Sequence, residues 1–444
     1  MSPPATGSTH DRIRLHRAAS VVTPPGTKEE TMEVIVACCA GLDVHQASVM
    51  ACINRTGPGG RSHKDVRAFG TMRDDLIALR DWLQSAGCTL VAMESTGVYW
   101  KPIYEILEDH FDVMVANARH IKNVPGRKTD VKDCEWISDL ARHGLISRGF
   151  VPPRAIRDLR ELNRYRRKVA QVHTGERNRL IKVLETAGIK LAGVMSDVLG
   201  VSGRAMIRAL IEGADTPEAM SRLALGRLRK KQPELARALD APLKSHQRFM
   251  LRTQLARIEQ AEADLEQIDT EVNEMAAPYA RELELLMSIP GVDWINAVTI
   301  IAEIGIDMSA FHSAAHLAAW AGLCPGNNES AGKKRSGKVR KGNVVLKTTL
   351  VNAAIAGSGS RGRKGTFLAE KFRRLAVRRG KMKAAVAIAH KILVSVWHML
   401  TDGTFYQDLG AGFLDRLDRT RNARHLVRRL VNMGFEVQLL EKAA

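Results

Sequence analysis

The order of apolar and polar positions divides the chain into distinct regimes. Residues 33–44 (EVIVACCAGLDV) form a continuous apolar, β-branched run, the pattern of a strand buried on both faces. Residues 47–54 (ASVMACIN) and 63–70 (HKDVRAFG) predict two further strands, with TGPGG at 56–60 supplying the hairpin turn. An amphipathic helix follows over 73–87 with a Gly stop, then a strand over 88–95, a helix over 98–110 and a strand over 111–117. A helix over 129–144, capped by Thr129, closes this region. Three hairpin-linked strands and then alternating helices and strands predict an α/β domain: a mixed five-stranded sheet with flanking helices.

Beyond Pro152 only helical periodicity remains. Residues 154–189 read as one long, strongly basic helix. Leu251, Leu255, Ile258, Ala261, Leu265, Ile268, Val272 and Met275 then recur at steps of three and four, the seam of a coiled coil. Such a seam suits either a self-association arm or an intramolecular hairpin with the basic helix. Residues 283–305 read helix, Pro-Gly turn, helix: either a plain αα-hairpin or a helix-hairpin-helix whose turn amides meet a phosphate. A helix over 311–324 precedes a polar, Gly-rich basic loop, NNESAGKKRSGKVRKGN (327–343), then more helix, and the tail predicts a last basic helix with a short strand. The expected divisions are a disordered leader (1–31), an α/β catalytic domain (32–150), a helical and coiled-coil region (151–282), a mainly α C-terminal domain (283–402) and a basic tail (403–444). The Pro/Ser/Thr-rich leader has no apolar core of a secretory signal, and Met32 is an alternative start.

Charge narrows the function. The 444 residues carry 67 Lys+Arg against 48 Asp+Glu, a formal net charge of +19, which favours a polyanionic partner, nucleic acid before membrane surface. No uninterrupted apolar stretch reaches the ~18–20 residues of a membrane span, so a cytoplasmic, nucleoid-associated protein without membrane contact is expected. The six cysteines show no C-x-x-C spacing and read as buried reduced thiols.

Four acids stand at suggestive places: Asp43 ending the first strand, Glu94 ending the fourth, and Asp130 and Asp133 at the start of the next helix. Each alone fits a plainer role, as a cap, a strand-end ion pair or a helix N-terminal charge. In this joint order they match the layout of ribonuclease-H-like nucleases, in which clustered carboxylates hold hard divalent cations that clamp a phosphate. Arg127 and Lys128 beside them suit a phosphate-handling site.

With GLDVH, MESTGVYW, NARHIKNVPGRKTDVKDCEWISDLARHG and GLCPGNNESAGKKRSGKVRKGN in order over residues 33–400, the chain resembles the DEDD insertion-sequence transposases. That resemblance implies a Holliday-junction-resolvase-like, ribonuclease-H-like N-terminal domain and a C-terminal transposase domain. It further implies a catalytic set of Asp43, Glu94, Asp130 and Asp133 around Mg²⁺ (or Mn²⁺), Ser330 as nucleophile, a structured guide RNA and a homo-oligomer, dimer or tetramer, with a composite site. From its residues alone the loop reads as a flexible phosphate grip, with Lys333, Lys334, Arg335, Lys338, Arg340 and Lys341 as nucleic-acid contacts and Ser330 and Ser336 as its hydroxyls. One departure is Lys347 in VVLKTTL, where the family often has Arg, which loses a bidentate fork.

GSGSRG (357–362) follows an Ala-rich helical stretch instead of a strand and fails as a dinucleotide fingerprint. No cofactor-binding residues are expected. His45 reads as a solvent-facing or supporting neighbour of Asp43, and His312 and His316 as ordinary helix residues. The reading is thus a DNA transposase/recombinase. Its rivals are a junction-resolvase-like, metal-dependent endonuclease and a non-catalytic nucleic-acid scaffold.

Overall fold

A computed structural model describes residues 34–57, 61–117, 121, 133–213, 216–326, 328–330, 333–336, 338–358, 364–417 and 419–438, with backbone alone at 328–330, 333–336 and 420–422. The chain forms two compact units, one to Phe150 and one from Val151.

The first unit is built on a sheet of β1 (Cys38–Val44), β2 (Ser48–Thr56), β3 (Ser62–Gly70), β4 (Leu90–Glu94) and β5 (Asp112–Ala116), in the order β3-β2-β1-β4-β5. β1, β2 and β3 run antiparallel, and β4 and β5 lie parallel to β1. Between them come α1 (Arg73–Ser85) and α2 (Trp100–Leu107), and α3 (Asp133–Arg142) follows β5. This is the mixed five-stranded sheet of a ribonuclease-H-like domain. β1 starts at Cys38, several residues later than the apolar run suggests. Its partner β2 turns away after Thr56, so Ile35 and Val36 instead donate their amides to the Arg142 carbonyl at the end of α3 (3.0 and 3.3 Å).

Alternation along the strands sets two faces. Cys39, Leu90, Ala92 and Ala116 pack with Ile137, Leu140 and Ala141 of α3 in one apolar cluster. Gly41, between Cys39 and Asp43 on that face, is where α3 lies flush on the strand: a Cβ there would stand 2.3 Å from the Cys134 carbonyl oxygen and 2.4 Å from the Ser138 nitrogen. Cys39, Cys52, Cys88 and Cys134 are buried and all six cysteines are free. Burial pushes the Cys39 thiol up to about 12.

The second unit is helical: α4 (Arg154–Thr186), α5 (Leu191–Val194), α6 (Val201–Glu212), α7 (Pro217–Ser221), α8 (Gln232–Leu239), α9 (Ser245–Ala276), α10 (Ala280–Met287), α11 (Trp294–Ile304) and α12 (Ala314–Trp320). A small hairpin of β6 (Asn328–Ser330) and β7 (Lys333–Ser336) comes next, then α13 (Val344–Ser358), α14 (Phe367–Arg379), α15 (Lys381–Asp402), α16 (Phe413–Leu417) and α17 (Arg419–Asn432). Among the described residues no strand follows α17, contrary to the expected tail strand.

α4 and α9 run antiparallel, with Arg166 paired to Asp269 and His173 to Glu262 (3.0 Å). Leu251, Leu255, Ile258, Ala261, Ile268 and Val272 are buried, the first three in a cluster with Leu180, Leu184 and residues of α6 and α8. The seam is therefore consumed within the chain as a helical hairpin. α4 also grips α11: Arg164 makes a bidentate pair with the fully buried Glu303 (2.8 and 2.7 Å), and Arg160 donates to the carbonyls of Ala302 and Glu303 (both 2.8 Å). The Pro-Gly turn between α10 and α11 is backed by α13, with a Cβ on Gly291 (φ 89°) falling 2.2 Å from the Ala353 carbonyl oxygen. Gly357, from the rejected dinucleotide match, is the other side of that contact (2.1 Å from the Pro290 oxygen). Among the described residues α15 alone is long and apolar enough to cross a bilayer. Its Ala384, Ile388, Ile392, Val396 and Met399 are buried in the helical unit, and Trp397 donates to the Phe311 carbonyl (3.0 Å), so it is a core helix.

Gly41→Ala is expected to destabilise the first unit by about 3 kcal/mol, the upper end for overpacking, because the obstructing atoms are helix backbone that cannot rotate away. Urea unfolding of the variant with an unchanged midpoint would contradict the close approach of α3.

Candidate active site

Parallel register pairs Gly41 with Ala92 and Leu42 with Met93, so the next residues, Asp43 and Glu94, end adjacent strands side by side. Neighbouring strands lie roughly 4.8 Å apart, and side chains at matched positions share a face. That face is the one α3 covers, because Asp43 continues the Cys39–Gly41 row and Glu94 the Leu90–Ala92 row. Asp133 opens α3 and is followed by Cys134, whose carbonyl meets Gly41. Burial pushes the Cys134 thiol up to about 11, and Asp43 is among the charges that add to the shift, which puts that carboxylate close to the first turn of α3. Asp43 and Glu94 therefore stand at one end of one sheet face, and Asp133 opens the helix that covers that face. The fourth, Asp130, and its neighbours Thr129, Arg127 and Lys128 lie outside the described residues.

Asp43 Oδ2 is 3.2 Å from His45 Nε2, and its side chain is 25% exposed. Thr96 Oγ1 donates to Glu94 Oε1 (3.3 Å). His45 is thus a neighbour of the site's first carboxylate. No group of three His, Cys, Asp or Glu side chains closes to metal-holding geometry among the described residues. The donor set is nonetheless all carboxylate oxygen, which suits a hard divalent cation such as Mg²⁺ or Mn²⁺.

A polar network beneath α3 was not foreseen. Asn54, fully buried on β2, donates to Asp139 Oδ1 (2.9 Å), and Lys64 of β3 donates to Asp139 Oδ2 (2.7 Å). Arg142 donates to Asn54 Oδ1 (3.3 Å) and to Thr56 Oγ1 (2.9 Å). These bonds fix α3, and with it Asp133, across two strands. The signal was present as an asparagine inside an apolar strand.

The predicted basic loop is a β-hairpin, with Ser330 paired to Lys333 beside the turn. Glycine content suggested flexibility, but two short antiparallel runs separated by two residues are hairpin geometry. Lys338, Arg340 and Lys341 are exposed on the return segment; of Ser330, Lys333, Lys334, Arg335 and Ser336 only the backbone is described. His312 and His316 stack on each other (5.6 Å), with His316 against Phe311, as ordinary side chains.

A second basic surface escaped the sequence reading. Where α14 turns into α15 at Gly380, the side chains of Arg378, Arg379, Lys381 and Lys383 are exposed and have no acidic partner among the described residues. Val377 and Met382 stand out between them at 83% and 65% exposure. Nearby, burial and the charge of Lys391 lower the pKa of Lys371. Concentrated, unneutralised cations beside protruding apolar side chains make a candidate nucleic-acid surface.

Comparison with known proteins agrees with this geometry. A family model for DEDD transposases of the IS110 type matches residues 40–189, and one described as the transposase IS116/IS110/IS902 family matches residues 283–366. A probable family 20 transposase of Pseudomonas aeruginosa is 25% identical over 335 residues, 74% of this chain and 89% of that protein. The transposase for insertion sequence element IS1111A of Coxiella burnetii is 26% identical over 297 residues, 65% of this chain and 71% of that protein. An insertion element IS110 protein of Streptomyces coelicolor is 32% identical over 125 residues, 28% of this chain and 30% of that protein.

Replacing Arg378, Arg379, Lys381 and Lys383 together by Ala is expected to weaken DNA binding and flatten its dependence on log salt by about 0.9 for each phosphate no longer neutralised. Filter-binding titrations from low to moderate salt check this; a slope equal to that of the unaltered protein would remove the surface from the DNA interface.

Proposed function

The chain belongs to the IS110/IS116/IS902 family of transposases, DNA-cleaving and DNA-joining enzymes, and on that premise we propose that it cuts and rejoins strands through Ser330 and an acidic metal site. What supports the reading is the placing of Asp43 and Glu94 side by side at one end of the sheet, under the helix that Asp133 opens. Asp43, Glu94, Asp130 and Asp133 would hold Mg²⁺. The ion, when bound, supplies positive charge that neutralises phosphate oxygens and makes phosphorus more electrophilic.

Ser330 Oγ attacks the phosphorus of a DNA phosphodiester. A serine–phosphate bond forms as one bridging P–O bond breaks, the hydroxyl's proton leaves, and the departing strand end takes up a proton. Attack by a hydroxyl end from a second strand runs the exchange in reverse: a new phosphodiester forms, Ser330 is released, and no energy source is needed. Lys333, Lys334, Arg335, Lys338, Arg340 and Lys341 supply positive charge around that phosphate. Arg127 and Lys128 do the same beside the acids. Each chain has one such serine, so exchange between two duplexes calls for more than one copy, and a homo-oligomer follows. A structured RNA selects the DNA by base pairing, leaving the protein to read backbone; the low aromatic content (5%) supports backbone contact over base stacking.

Ser330→Ala is expected to abolish covalent protein–DNA adducts and recombination, a loss of at least about 10³-fold in rate. Asp43→Asn is expected to silence cleavage while DNA binding stays within about twofold. Denaturing gels of cross-link-free reactions with Mg²⁺ read both. Cleavage that survives Ser330→Ala would favour a hydrolytic, resolvase-like endonuclease; binding without cleavage in the unaltered protein would favour a scaffold. Recombination that is undiminished by ribonuclease treatment would remove the RNA.

A further inference from the structure

We propose that Glu303 and Asn343 are positioning residues that fix the hairpin carrying Ser330; the proposal rests on the reading of Ser330 as nucleophile. The hairpin has two feet, residues 322–326 and 338–343. They are tied to each other through their backbones. Gly326 donates its amide to the Lys338 carbonyl (2.8 Å), and Pro325 bridges Val339. At the root Gly322 crosses Gly342 so closely that a Cβ on Gly342 would meet the Gly322 nitrogen at 2.4 Å. Such a crossing, possible only without a side chain, locks the two feet together. It does not set the angle at which the hairpin leaves the helices.

Asn343 sets it. Its Nδ2 donates to Glu303 Oε2 (2.6 Å), while its Oδ1 accepts the Leu346 amide (3.1 Å) and so caps α13. Glu303 has no solvent exposure and receives both Arg164 nitrogens in a bidentate pair, with Arg160 Nε at 3.7 Å. Three steps along the same face of α4, Arg167 donates to the Val345 carbonyl (3.2 Å), just past Asn343. One carboxylate thus joins three elements: α4 through Arg160 and Arg164, α11 through its own backbone, and the return foot through Asn343.

Apart from Thr299, which accepts from Asn163 (3.1 Å), the remainder of buried α11 is apolar: Ala297, Val298, Ile300, Ile301, Ala302 and Ile304. Apolar residues at 160, 164 and 303 together would serve the core equally well, since a buried ion pair contributes little net stability over a well-packed apolar replacement of the whole pair. What the charged cluster adds is direction. A bidentate guanidinium–carboxylate pair fixes the carboxylate plane, and the plane fixes where Asn343 is held. Displacement of a reacting group by about 1 Å can cost on the order of 10²-fold in rate, so orientation of the foot bears directly on Ser330.

Asn343→Ser separates positioning from helix capping. Serine keeps a capping oxygen for the Leu346 amide but is too short to reach Glu303, whereas Asn343→Ala loses both. Both variants are expected to bind DNA within about twofold of the unaltered protein and to form the Ser330–DNA adduct at least about tenfold more slowly at saturating DNA. Amide hydrogen exchange at 326–343 should accelerate in both, with α11 unchanged. Glu303→Gln, which keeps the shape and drops the charge, should reproduce the exchange signature. Adduct formation at the unaltered rate in Asn343→Ser, with only Asn343→Ala slowed, would reduce Asn343 to a cap and overturn the proposal; so would exchange at 326–343 unchanged in all three variants. Failure of the Ser330 reading would show separately, as adducts persisting in Ser330→Ala, because the exchange measurement does not depend on the nucleophile.

Discussion

Everything proposed for the acidic site depends on one approach without a side chain. At Gly41 the backbone of α3 comes down onto the centre of β1, nearer than any Cβ allows. That contact carries Asp133 to the end of the sheet where Asp43 and Glu94 stop. The placement of α3 is imposed by apolar packing of Ile137, Leu140 and Ala141 against the strands, and by the hydrogen bonds from Asn54, Lys64 and Arg142.

The strand and helix order of the first unit was readable because burial on both faces leaves unbroken apolar runs, and amphipathic helices leave a different period. Asp43 and Glu94 stood out for a related reason: a carboxylate at the end of an apolar run has no core role. What periodicity cannot report is pairing between distant segments. β1 was drawn too long because nothing local shows that β2 stops at Thr56. The seam on α9 could not declare its partner, since the same apolar stripe serves a second chain or α4; pairing of Arg166 with Asp269 and His173 with Glu262 decides for α4. The network under α3 joins residues about 85 apart in sequence, a pairing that no local pattern reports.

The charge excess has a similar lesson. Much of the arginine on α4 is engaged inside the fold, on Glu303, Asp269 and the carbonyls of Ala302 and Glu303. Net charge alone therefore overstates the cations free to meet a polyanion. At the α14–α15 turn the cations lack acidic partners among the described residues, whereas Arg373 and Arg374 one turn earlier are held by Glu370, whose carboxyl they pull down to about 2. Partnering, more than sequence density, separates structural arginines from those available to phosphate.

The two elements proposed as catalytic are anchored by different means. The helix that Asp133 opens lies on an apolar platform, supplemented by polar bonds from Asn54, Lys64 and Arg142. The hairpin needs a charged anchor, because a short polar ribbon has no apolar face to bury and its orientation can be fixed only by directional bonds at its foot. Glu303 provides those bonds from a position where no water competes for the carboxylate. The glycines that made residues 327–343 look like a flexible loop act at Gly342 in the contrary sense. There the missing side chain lets the two backbone segments at the hairpin's feet lock together.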